Sequence, residues 1–162
     1  GIFGKLYLAK REDIATAAIV ADAIPVIAMV GATVFYEFVF VPEKSSQVTE
    51  LTLSDGGANI YTSTLTGTLS ANTPEALKWF KETAACKCGL VWVFSDANTQ
   101  WITGLRDEGA IVNVGVGNNA LVTGGSFNTG DALSSANTSI ITFTSINSEP
   151  PFETTQDMTT LI

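Results

Sequence analysis

The chain has no histidine, so it has no Ser-His-Asp or Cys-His catalytic group, no imidazole-ligated zinc and no histidine pH switch. It has only two cysteines, Cys86 and Cys88. A zinc site built on that C-x-C would need two further ligands from carboxylates or a neighbouring subunit. We read the pair as half-buried structural thiols that imply no oxidising compartment. Charge is scarce as well, at 15% of residues against roughly 25% in an ordinary soluble domain. Sixteen acids outweigh eight bases for a net charge of −8, and no base follows Arg106. Such a chain lacks a phosphate-gripping surface and is expected to bind duplex DNA weakly. There is also no long uninterrupted apolar run, because Asp22, Pro25 and Glu37 break the stretch from Ile14 to Val41 before it reaches the ~18–20 residues of a membrane span. Lys5, Lys10 and Arg11 ahead of "IATAAIVADA" imitate a signal peptide, but Glu12 and Asp13 at the head of the apolar stretch oppose that reading.

What is present is apolar and β-forming. Hydrophobic residues reach 46% of 162, enough for one domain with a substantial core. Low charge with high apolarity has two readings: a surface made polar by Thr, Ser and Asn, or a surface covered by further copies of the chain. The second is favoured. "TVFYEFVFV", Thr33 to Val41, has the composition of a central strand, and Pro42 closes it. Two alternating runs, Gln47 to Ser54 and Ala58 to Ser70, meet at the turn Asp55-Gly56-Gly57 as a long hairpin with Leu51, Leu53, Leu65 and Leu69 facing inward. One helix follows, with Thr73 as cap, Pro74 in the first position, Glu75 at the positive end of the dipole and Leu77, Phe80 and Ala84 as its buried row, ending near Cys88-Gly89.

A second hairpin runs from Leu90 to Phe94 and back from Gln100 to Leu105, which allows Trp92 and Trp101 to pair across it. Ala110 to Gly117 is expected to turn at Asn118-Asn119 into Ala120 to Thr123. The polar tether from Ser126 would then lead, as an inter-subunit contact or a crossover between sheets, to a last strand, Ser139 to Ile146, ended by Pro150-Pro151. The expected fold is mainly β, a sandwich or barrel with one flanking α-helix. Residues 1–32 are assigned to an N-terminal arm and apolar lead-in, 33–152 to the β domain and 153–162 to a C-terminal tail.

Three motifs invite chemistry and fail it. "GVGNNA", Gly115 to Ala120, spells a dinucleotide fingerprint but precedes "LVTGGS" instead of a helix, so it reads as a hairpin turn. "DANTQ", Asp96 to Gln100, opens like a calcium loop, yet Trp101 replaces the turn glycine and no Glu stands at the twelfth position; it reads as an Asx turn. The paired carboxylates Glu12-Asp13 and Asp107-Glu108 read as solvated turn charges. No catalytic residue, cofactor or metal ligand is assigned, and no enzyme is expected. Trp79, Trp92 and Trp101 leave a sugar-binding sandwich open as an alternative, behind core or interface packing.

The long hairpin "VTELTLSDGGANIYTSTLTGTLS", the helix "TPEALKWFKETA", the tight hairpin "GLVWVFSDANTQWITG" and the closing "TGDALSSANTSIITFTSINSEPP" together resemble the tail-tube proteins of long-tailed bacteriophages and the related tubes of contractile injection machines. The likeness spans roughly residues 30 to 152 and rests on element order and turn character. It implies a virion structural protein whose hexameric rings stack into a hollow tube, with self and other virion proteins as partners, genomic DNA passing without specific binding, and no membrane insertion. Candidate assembly contacts are Pro42, Glu43, Lys44, Asp55, Gly56 and Gly57. A capsid decoration or head-completion protein is the nearest alternative.

Overall fold

The computed structural model describes residues 5–41, 44–53, 55–57, 59–69, 74–86, 89–96, 98–107, 111–113, 121–128, 138–147 and 150–162. Its strands are β1 (Lys5–Lys10), β2 (Ile14–Ala18), β3 (Ala23–Ile24), β4 (Ile27–Met29), β5 (Tyr36–Val39), β6 (Ser46–Leu53), β7 (Asn59–Leu69), β8 (Leu90–Ser95), β9 (Gln100–Thr103), β10 (Arg106–Asp107), β11 (Ile111–Asn113), β12 (Leu121–Asn128), β13 (Thr138–Asn147) and β14 (Phe152–Thr154). Among the described residues a single α-helix, α1 (Pro74–Cys86), lies between β7 and β8. The strands form three sheets, ordered β3-β14-β9-β8-β1-β5, β10-β11-β2-β4 and β12-β13-β7-β6. None closes into a barrel, so the protein is a mainly β sandwich with a flanking helix.

The six-stranded sheet is the middle layer, because its strands are apolar on both sides. Leu6, Leu8, Phe38, Leu90, Trp92 and Phe94 point one way, onto Leu65, Leu69, Ile141 and Phe143 of the β12-β13-β7-β6 sheet. Tyr7, Ala9, Val91, Val93 and Ile102 point the other way, onto Ile14, Ala17 and Ile27 of the β10-β11-β2-β4 sheet. The period of two sends alternate residues to opposite cores, which is why "LVWVF" is continuously apolar. Gly104, at φ +106, ends β9 where a Cβ would sit 2.6 Å from the Leu90 carbonyl oxygen, so only glycine fits there.

Several expectations are corrected. Residues 5–10 are no arm: β1 pairs with β5 on one side and β8 on the other, and Leu6 and Leu8 are fully buried. The C-terminal tail is equally part of the domain. Strand β14 lies between β9 and β3, Met158 is buried, and the Leu161 carbonyl accepts the Phe35 N–H at 2.8 Å. Strand β5 is marginal, not central, because at Phe40 the chain leaves the middle sheet and bridges to Leu69 of β7. Strands β11 and β12 are not partners as expected: β11 pairs with β2 and β10, whereas β12 pairs with β13 in another sheet, and the Asn118-Asn119 turn lies outside the described residues. Asn128 stands opposite Thr138 in neighbouring antiparallel strands of one sheet, and the tether residues 129–137 lie outside the described residues.

The helix begins at Pro74 with Glu75 in its first turn, as expected. Of its described side chains Ala76 is buried, Trp79 meets Phe38 edge-on at 5.5 Å, and Leu77 of the expected row is half-buried. The cap Thr73, Cys88 and the side chains of Phe80, Ala84 and Cys86 lie outside the described residues. The apolar lead-in turns at Ala21-Asp22, where both residues adopt positive φ, 52° and 66°, and Val20 and Ala23 exchange both backbone hydrogen bonds. That is a two-residue hairpin turn of the kind that normally selects Asn or Gly. Ala in this region costs ~1–2 kcal/mol, while glycine costs ~0.5–1 kcal/mol in chain entropy. Ala21→Gly should therefore raise stability by about 0.5 kcal/mol in urea denaturation.

Candidate functional site

Strands β6 and β7 are longer than the sheet they cover, and the excess defines the site. Their register places Gln47 opposite Leu65, Thr49 opposite Ser63, Leu51 opposite Tyr61 and Leu53 opposite Asn59, all on the inward face. Leu65 is in the core, but two rows further along Leu51 is 51% exposed, and Leu53 at the far end is 69% exposed. Both leucines face inward as expected, yet they are exposed, because the middle sheet ends before it reaches them. Leu65 and Leu69 are buried as expected.

Under the overhang lies an open groove of about 480 Å³. Gln47, Thr49, Leu51 and Tyr61 form one wall; Phe94, Asp96 and Trp101 of the β8-β9 hairpin form the other, with Pro150 and Pro151 at the end. The far wall is held by its turn. Asp96 Oδ1 accepts the N–H groups of Asn98 at 2.8 Å and Thr99 at 2.7 Å, and Oδ2 accepts the Trp101 indole N–H at 3.0 Å. The Asx turn expected at "DANTQ" is therefore present. Trp101 stands opposite Phe94, whereas Trp92 stands opposite Thr103, so the two tryptophans are diagonal neighbours and not a direct pair.

Gln47 ties the groove to the core. Its Oε1 accepts the Trp92 indole N–H at 2.7 Å, and its Nε2 donates to Thr103 Oγ1 at 3.1 Å. Beside it a row of hydroxyls crosses the inward face. Thr49 and Ser63 are hydrogen-bonded at 2.9 Å, and Ser145, opposite Ser63, is buried with no hydrogen-bond partner among the described residues.

Asp96 is held below the usual carboxylate range, first by the Asn98 backbone N–H and then by the Trp101 indole and the Thr99 N–H. A carboxylate whose pKa falls on folding adds stability above its unfolded pKa and loses it as pH drops through the folded value. The turn should accordingly weaken below about pH 4, the ordinary Asp value. Urea denaturation of the native protein and Asp96→Asn should show a gap at pH 7 that narrows at pH 3.

Of the sequence-derived assembly contacts, Lys44, Asp55, Gly56 and Gly57 are exposed; Pro42 and Glu43 lie outside the described residues. They do not form one patch. Lys44 and the Asp55-Gly56-Gly57 tip stand at opposite ends of β6, about 25 Å apart for eight extended residues. Gly57, at φ +81, supplies the left-handed residue the tip needs. Strand β6 is also the margin of its sheet, an edge unpaired among the described residues that carries Val48 and Leu53 to solvent. Sequence reasoning singled out Trp101 and the tip but missed Gln47, Thr49 and Tyr61. The available signal was parity: inward positions of the hairpin that carry amide and hydroxyl groups where a covered strand carries aliphatic ones.

Among the described residues no group of His, Cys, Asp and Glu side chains could hold a metal, and no helix is long and apolar enough to cross a membrane. No protein-family model matches the chain, and comparison with curated proteins and with solved structures finds no match. Fold and surface define the class, a layered β sandwich with an overhanging hairpin.

Proposed function

We propose that the protein is a virion structural subunit that assembles with copies of itself into stacked rings, forming a tail tube through which DNA passes. The observation that carries this reading is the overhanging β6-β7 hairpin. It presents Leu53 near its tip on one face and Val48 and Ile60 on the other, along an eight-residue edge strand. Long apolar edges are aggregation hazards that native proteins keep only where a partner covers them. The outer face of the same sheet supports a conduit. Thr62, Thr64 and Thr66 of β7 and Thr142 and Thr144 of β13 lie there, and Glu50 is its one charge among the described residues. A wall without bases gives a polyanion nothing to grip.

The test is light scattering over a wide concentration range with electron microscopy. Full-length protein should form closed rings that stack, each contact burying more than about 1,000 Å². Leu53→Glu should weaken association at least tenfold while changing monomer stability by less than about 0.5 kcal/mol, because the side chain is exposed. A strictly monomeric or trimeric native protein would remove the tube reading.

A further inference from the structure

We infer that the groove beneath the β6-β7 overhang is a binding site for a neutral saccharide. Three features carry this independently of the assembly reading. First, the groove is aromatic on both walls, with Tyr61 on one and Trp101 on the other, and its volume of about 480 Å³ lies within the roughly 300–1,000 Å³ of small-ligand clefts. Second, Trp101 is preorganised. Its polar edge is already satisfied by Asp96, itself fixed by two turn N–H groups, so the half-buried indole is held rigidly in the wall. A held ring stacks on the C–H face of a sugar with little further loss of freedom.

Third, the polar groups suit a polyol and reject an anion. Asp96 keeps acceptor capacity beyond the three N–H groups it binds, and Gln47 keeps a second amide hydrogen after donating to Thr103. Thr49 adds a hydroxyl whose row continues through Ser63 to the buried Ser145, which has no hydrogen-bond partner among the described residues. Among the described residues no base lines the groove, and the one charge there is a carboxylate. A phosphate or uronate would meet repulsion with no compensating cation, whereas a neutral ring offers hydroxyls to donors and acceptors alike.

Intrinsic fluorescence and calorimetry on the full chain would test this with four hexasaccharides: maltohexaose, cellohexaose, chitohexaose and a hexauronate. At least one neutral oligomer should bind at millimolar concentration or tighter, and the hexauronate should not. Trp101→Ala and, separately, Tyr61→Ala should each weaken binding by about tenfold or more. Tyr61 is the safer variant, because it lies on the overhang and leaves the Asp96 turn intact. Preference for the uronate, no binding by any neutral oligomer, or binding unchanged in a folded Tyr61→Ala protein would overturn the proposal. Leu53→Glu separates the two readings, since it should disrupt rings and leave saccharide binding in place.

Discussion

Deleting residues 1–10 should abolish cooperative folding. Strand β1 occupies the fifth place in the six-stranded middle sheet, and its removal strips hydrogen-bonded partners from β5 and β8 together. It also takes Leu6 and Tyr7, Leu8 and Ala9 alternately out of the two cores that this sheet separates. Burying Leu6 and Leu8 alone contributes about 1.5–3 kcal/mol each, against a total stability of about 5–15 kcal/mol for a domain. The lost ladders and the opened central cleft add to that. Circular dichroism should show no sigmoidal thermal or urea transition in the truncated protein. A truncated chain that still melts cooperatively would mean that another segment can take the β1 place. The consequence for function is practical: assembly has to be probed with surface variants such as Leu53→Glu, because an N-terminal deletion destroys the subunit itself.

What the sequence made legible follows the strength of local signals. The Asp55-Gly56-Gly57 turn between two alternating runs, the Pro74-Glu75 helix start and the Asp96 turn each have a chemical cause within a few residues, and each is present. Placement in layers has no such local cause. "KLYLAK" is short and begins and ends with lysine, so it reads as an arm; only the pairing of Leu6 with Phe94 and Phe38, both far along the chain, buries it. The same limit explains Leu51 and Leu53. Alternation correctly placed them on the inward face, but how far the neighbouring sheet extends is a tertiary fact, and its shortfall turns two core leucines into an exposed ledge. The groove was half visible for the same reason. Trp101 and Asp96 are five residues apart, whereas Gln47 and Thr49 arrive from the opposite sheet.

Trp92→Ala should be the most damaging single substitution in the protein. The side chain is fully buried at the junction of the middle sheet and the β12-β13-β7-β6 sheet, with the Phe143 ring 5.8 Å away. Large-to-small replacement of a buried aromatic costs about 3–5 kcal/mol through lost burial and the cavity left behind. A further ~1–3 kcal/mol applies if the Gln47 oxygen loses its indole donor and finds no replacement. Trp92→Phe isolates the second effect: it keeps most of the ring and removes the N–H, so it should cost less than the alanine variant while still releasing Gln47. The two variants separate packing from positioning. Urea denaturation should rank native above Trp92→Phe above Trp92→Ala, with at least about 3 kcal/mol between the first and last. An alanine variant within about 1 kcal/mol of native would contradict the sandwich itself, because no side chain fully enclosed between two sheets is that dispensable.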